Sequence, residues 1–353
     1  EKREEKKKKM DDFCIRGTCQ TMCPLREAQQ RQKEKLLHKL EIKLGTECHS
    51  TPKFDIDKIV KCFNRSAAGK ETSDPCNLRP FPVLLKTIQY LYKKVFPFHK
   101  EKPIFVYDFM FDRFRAVRQD AIIQNFPPRQ MIKILEPIVK FLIYFSYVLI
   151  EEDINRFDST INNTHIQECL KSLLVCYNDC ECVDLNNRWE IESSYLLFNL
   201  GNVESLMQGV RNDILKTNKI YKTCLKLSFH WYLKNFIRVF KLLVDLPPLL
   251  LCVICTLIPE IRKYALQSMN FAFSSQNSAY PLDHLCDLLL FESVEHAEKE
   301  CSHYNIKIND GKVKFIKKDF DLNVKCGKGV RLKWIDKKLN DVDIEHLLCY
   351  GND

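Results

Sequence analysis

Glycine is scarce in this chain, at 9 of 353 residues, against a usual share of about 7%. Few glycines mean few tight turns and few close backbone approaches, which tips the balance toward helices. Long hydrophobic runs are missing too. The longest uncharged ones, 141–150 and 246–259, fall short of the roughly 20 residues that span a bilayer and read as core helices. Residues 1–9 (EKREEKKKK) are all charged, unlike a secretory leader. Catalytic signatures are also absent. There is no G-x-S-x-G, no H-E-x-x-H and no G-x-x-x-x-G-K-[ST]. Gly69-Lys70 lacks the upstream glycine of a phosphate loop, and His38, His49, His99, His165 and His230 have no partner at diagnostic spacing. No enzyme, no cofactor and no small-molecule substrate is expected.

What is present is ordinary for a soluble globular protein, with 45% hydrophobic and 29% charged residues. The length suggests about two domains. The net charge of +9 attracts polyanions, chiefly nucleic acid, or acidic protein segments, although plain solubility explains it as well. The 17 cysteines are odd in number, and Cys169, Cys176, Cys252, Cys255 and Cys286 sit in apolar runs. That pattern fits free thiols in a reducing compartment, nucleus or cytosol, rather than a disulfide framework. Cys14, Cys19 and Cys23, with His38 or Cys48 as a fourth ligand, form a loose zinc pattern. The spacing fits packed reduced thiols better, so no metal is expected. Cys252-x2-Cys255 reads as core, and Cys180-x-Cys182 as part of a polar loop.

Residues 1–12 read as a solvated charge run and 13–24 as an irregular cysteine-bearing segment. A helix is expected over 25–43, where Leu36, Leu37, Leu40 and Leu44 recur at helical spacing. Loops follow at 45–54 and 69–82. Further helices are expected at 83–96, 104–125, 130–150, 163–177, 190–200, 203–217, 219–243 and 259–273. This succession of helical hairpins predicts an α-solenoid, although no sequence repeat at a fixed period accompanies it. After residue 278 the composition shifts. Helices at 281–291 and 293–304 precede two short β-branched runs around Asn309-Asp310-Gly311, a strong hairpin signal. Two helices and a hairpin is the order of a winged helix. Residues 330–335 (VRLKWI) could supply a further strand. The expected division is a 1–24 extension, a helical-repeat domain over 25–278, a winged helix over 279–340 and a tail over 341–353.

Three stretches carry a family resemblance: GTCQTMCP (17–24), KCFNRSAAGK (61–70) followed by Leu78-Arg79-Pro80, and FMFDRFRAVRQD (109–120). Together they resemble the Sac-three/GANP domain, the scaffold of the TREX-two mRNA-export complex, over about residues 13–320. ESSYLLFNLGN (192–202) is similar to the family's middle region. The resemblance implies a mainly α fold, TPR-like helical hairpins ending in a PCI-type winged helix. It also implies binding: a PCI-domain partner, a small acidic DSS/Sem-type protein, and RNA on a basic winged-helix face. The implied location is the nucleus. Nucleoporin-like repeats and a centrin-binding helix are not evident, as in short members linked to centrosomes and the spindle. A structural role there, or in another PCI assembly, is the alternative.

In the third stretch, Asp112, Arg113, Arg115, Arg118 and Asp120 either dock a partner or form a buried ion network with Arg65 or Arg79, and the network is the favoured reading. Phe111, Phe114, Val117 and Ile122 are expected in the core. The nucleic-acid candidates are Lys307, Lys312, Lys314, Lys317, Lys318, Lys325, Lys328, Arg331 and Lys333. Over 305–338, eleven Lys and Arg stand against four Asp. Lys312 and Lys314 alternate with Val313 and Phe315, so one strand face would be basic and the other apolar. Phe315, Phe320 and Trp334 could stack on bases. The alternative is a hairpin edge guarded by lysines against aggregation.

Overall fold

A computed structural model of the chain describes residues 15–49, 51–65, 74–180, 186–275 and 277–349. The run 1–12, Cys14, Gly69-Lys70 and Cys182 lie outside them. Among the described residues the fold is mainly helical, with 62% helix and little strand.

Proline and asparagine punctuate the helices. Pro82, Pro103, Pro248 and Pro259 stand in first turns, where the missing N–H has no partner to lose and φ is already helical. Side chains of Asn202, Asn218, Asn235 and Ser293 accept N–H groups at later helix starts. The order begins with α1 (Leu25–Lys33), α2 (Phe81–Tyr90), α3 (Pro103–Ile123), α4 (Pro128–Val148) and α5 (Ser159–Asp179). It continues with α6 (Arg188–Phe198), α7 (Val203–Arg211), α8 (Lys219–Tyr232), α9 (Phe236–Leu243), α10 (Pro248–Ile254) and α11 (Ile258–Ala272). Then come β1 (Tyr280–Pro281), α12 (Leu282–Leu288), α13 (Val294–His303), β2 (Lys307–Asn309), β3 (Lys312–Lys314), α14 (Lys333–Asn340) and α15 (Ile344–Cys349).

The chain divides into two compact units. The first comprises 1–142, 172–183 and 345–353; the second comprises 143–171 and 184–344. The first has an aromatic core. Tyr92 packs on Phe96 and Phe114, and Phe114 meets Phe141 edge-on at 5.0 Å. The Tyr92 hydroxyl donates to the Pro137 carbonyl at 2.7 Å, so this buried polar group is satisfied. In the second unit α8 packs on α6 and α9, and α10 packs on α6. Every residue from Leu249 to Cys255 is buried, as expected for the Cys252–Cys255 pair. Such stacking of neighbours is consistent with an all-α solenoid.

Several expectations need correction. The helix expected over 25–43 stops at Lys33. Lys35 takes a left-handed φ of 58°, and Leu36 and Leu44 are 63% and 78% exposed, so their spacing marked no buried face. The single helix expected over 219–243 is two, because Lys234 is left-handed (φ 59°) and Asn235 caps α9. Ile122 is 56% exposed rather than core. VRLKWI is not a strand: Lys333 opens α14, with Ile335 and Leu339 buried beneath it. The hairpin is present, with Asp310 and Gly311 both at positive φ (50° and 67°), the geometry of a type I′ turn. Residues 280–281 add an unforeseen strand, giving an antiparallel sheet of order β1-β3-β2.

Candidate functional site: a buried ion network and a basic hairpin face

The three motif stretches meet inside the first unit. Asp120, on the last turns of α3, is fully buried and holds two cations. Lys61 Nζ donates to Oδ1 at 2.6 Å and Arg79 Nε to Oδ2 at 2.7 Å. These cations in turn bind backbone. Arg79 Nη1 donates to the Met22 carbonyl at 3.1 Å, and Lys61 Nζ donates to that of Asn77 at 2.6 Å. Gln124, one turn after Asp120, donates to the Arg79 carbonyl at 2.9 Å and accepts Gly17 N–H at 2.8 Å. Gly17 is required here by close approach: a Cβ would stand 2.3 Å from the Leu78 carbonyl oxygen.

A second carboxylate, Glu41, is also fully buried. It accepts from Arg31, from Arg113 Nη2 at 3.0 Å and from the Val60 N–H at 3.1 Å. Arg113 also pairs with Asp112, which accepts Phe63 N–H at 3.2 Å. His38 caps the short turn 39–41 by accepting Leu40 N–H, and its ring packs on Phe105 and Phe109 at 4.7 and 4.5 Å. Burial depresses its pKa to about 4, although the Glu41 charge opposes the shift.

The structure therefore brings Arg79 and Asp120 together at one carboxylate, and Asp112 and Arg113 beside the other. Arg65 is exposed, and Arg115 and Arg118 are half-buried. Arg115 lies over the Phe63 ring at 3.8 Å. The guanidinium groups of Arg79 and Arg113 are committed to internal carboxylates and carbonyls, which suits a staple between segments better than a docking face. Glu41, Lys61 and Gln124 were not singled out as sequence candidates. Lys61 stood in a recognised stretch, but Glu41 lies 72 residues from Arg113, beyond any local spacing rule.

The cysteines of the first stretch pack rather than converge. Cys19 and Cys23 are buried, and burial pushes the Cys23 thiol far above its ordinary value, away from the thiolate that metals bind. Among the described residues no three His, Cys, Asp or Glu side chains form a metal-binding group. No described helix is long and apolar enough to cross a membrane.

The second candidate lies in the second unit. Val313 and Phe315 are buried at 0% and 2% exposure, whereas Lys312 and Lys314 are exposed, so the hairpin has one apolar and one basic face. Lys307, Lys317, Lys318, Lys325, Lys328, Arg331 and Lys333 are exposed as well. Some have internal duties. Lys307 pairs with Asp319 at 3.2 Å, Arg331 pairs with Asp336 at 2.8 Å, and Lys328 donates to the carbonyls of Glu151 and Glu152. The expected stacking aromatics are corrected: Phe315 and Phe320 are buried, with Phe320 stacked on Tyr304 at 5.5 Å, because the sheet needs an apolar underside. Beyond the hairpin, the chain is tied to the helices. The Tyr147 hydroxyl donates to Asp336 at 2.8 Å and accepts Leu332 N–H at 3.0 Å. Lys338 Nζ donates to the Val244 and Leu246 carbonyls after α9.

Comparison with known proteins places these features in a family. The model of the SAC3/GANP family matches residues 22–310. "Protein xmas" of Drosophila melanogaster is 26% identical over 316 residues, 83% of this chain and 15% of that protein. "SAC3 family protein 1" of Schizosaccharomyces pombe is 29% identical over 321 residues, 83% of this chain and 30% of that protein. "SAC3 family protein B" of Arabidopsis thaliana is 23% identical over 90% of this chain and 20% of its own length. The chain thus spans less than a third of the length of each of these three relatives. With one family model covering most of its length and the three characteristic stretches tied into one buried network, the chain belongs to the SAC3/GANP family.

Proposed function

We propose that this chain is a non-catalytic scaffold of a TREX-two-like assembly serving mRNA export in the nucleus. It would hold a PCI-domain protein, a small acidic DSS/Sem-type protein and RNA. We read α12, α13 and the β1-β3-β2 sheet as a winged-helix subdomain over about 279–340, following a helical-repeat domain over 25–278. The observation that carries the RNA part is the hairpin: Lys312 and Lys314 point to solvent while Val313 and Phe315 anchor the other face. Lysines that alternate with buried residues on a strand suit phosphates, and they bring no base readout. Family membership supports the scaffold part.

The experiment is co-expression and affinity purification of the chain, followed by RNA binding across a salt series. Recovery of a PCI-domain protein with a small acidic protein is the expected outcome. The reconstituted complex should bind single-stranded RNA with an affinity that falls steeply with salt. The K312E/K314E variant should lose most of that binding while keeping both proteins. Purification of the chain without a PCI-domain protein would overturn the scaffold reading. Salt-insensitive binding, or binding untouched by K312E/K314E, would overturn the role of the hairpin.

A further inference from the structure

Between Asp213 and Asp245 the chain holds seven Lys or Arg and not one Asp or Glu. This stretch forms α8 and α9 in the second unit, and its charge is sorted onto one side. Along α8 the buried side chains are Tyr221, Cys224, Leu227, Ser228 and Trp231. At about 100° per residue, Lys219, Lys222, Lys226, Phe229 and Leu233 fall on the opposite side, in one narrow stripe. All five are exposed, Phe229 at 48% and Leu233 at 56%. Among the described residues, none of the three lysines has a carboxylate partner, whereas the neighbouring Lys216 is paired with Asp213 at 2.7 Å. The stripe rises about 10 Å over its three lysines. It then turns aromatic at Phe229, with Tyr232 51% exposed beside it.

We infer that the α8 stripe is a second contact surface for single-stranded nucleic acid, with Lys219, Lys222 and Lys226 on successive phosphates and Phe229 under a base. Charge complementarity selects a polyanion, since no acidic side chain interrupts the stretch. The aromatic end selects bases over an acidic peptide, because an exposed ring offers a stacking platform that tolerates any sequence. The lysines alone would give only salt-sensitive attraction. The inference rests on the reading that this chain handles RNA, but its residues are separate from the hairpin.

The test uses the full chain and a fluorescent oligo-uridine 20-mer, with anisotropy measured from low to moderate salt. The variants are K219A/K222A/K226A, F229A and, separately, K312E/K314E. The triple variant is expected to flatten the slope of log affinity against log salt by about 2, since each single-strand phosphate contact contributes about 0.7. F229A is expected to weaken binding about tenfold with the slope unchanged. Photocrosslinking with 4-thiouridine should place adducts within 219–233. Wild-type affinity and slope in the triple variant, or absence of crosslinks there, would overturn the inference. So would loss of polyglutamate binding in the triple variant with RNA binding intact, which would assign the stripe to an acidic peptide. If only K312E/K314E is silent, the hairpin reading fails and the α8 stripe stands.

Discussion

Arg79 Nε meets Asp120 Oδ2 at 2.7 Å, and neither side chain is accessible to water. Such a pair is not by itself a source of stability, because desolvation opposes the attraction; removing one partner, however, strands the other. Asp120 serves two cations. Asp120→Ala should therefore destabilise the chain by about 3–5 kcal/mol, read as a lower urea midpoint. An unchanged midpoint would mean that water reaches Lys61 and Arg79 more freely than their burial implies.

Arg113→Ala separates staple from docking surface. The buried Glu41 would keep Arg31 but lose Arg113. A loss of about 2–4 kcal/mol in denaturant titration is expected, since a buried charge left partly unpaired is costly. Full stability combined with loss of a bound partner would instead make this arginine a recognition residue.

Gly17→Ala introduces a methyl group that cannot fit beside the Leu78 carbonyl without backbone movement. Overpacking of this kind costs roughly 1–3 kcal/mol. A thermal melt should show the loss, and Gln124→Ala should relieve little of it, because the closest clash is with backbone.

His38 gives the network a pH signature. Its folded-state pKa is about 4, below the ordinary value of 6.5, because burial disfavours the imidazolium. The unfolded chain then binds the proton more readily. The favourable contribution of neutral His38 is complete above about pH 6.5 and is lost as pH falls toward 4. His38→Gln should flatten this part of the stability–pH curve. Parallel curves for the two proteins down to pH 4 would contradict the assignment.

Tyr147→Phe removes the hydroxyl that joins Asp336 and Leu332. Faster amide exchange across 330–340, with little change elsewhere in the second unit, is expected. Uniform protection would show that Ile335 and Leu339 hold α14 without it.

The elements that were legible in the sequence are those ruled by local chemistry. The helix opening at Ser293 and the Asp310-Gly311 turn act within a few residues, and both fall where expected. The failures also have physical causes. Leu36 and Leu44 had helical spacing but no neighbour to bury them once Lys35 turned left-handed. Asn235 signalled a new helix start inside 219–243, masked by an unbroken apolar rhythm. VRLKWI alternates like a strand, yet Ile335 and Leu339, four apart, recorded a helix. The favoured reading of the third motif as an ion network rested on residue type. Its partners Glu41 and Lys61 come from distant segments, and no spacing in a single sequence announces them.

The lysine that seats α14 bears on how shortened alleles should be interpreted. The family match ends at residue 310, yet Lys338 closes the carbonyls of Val244 and Leu246 far upstream. A stop codon soon after the hairpin would spare every recognisable motif and still uncover those carbonyls and the apolar bed of Ile335. Defects in such alleles would report a weakened interior before they reported a missing binding activity, and complementation should restore the chain through residue 340 before any role is ascribed to its end.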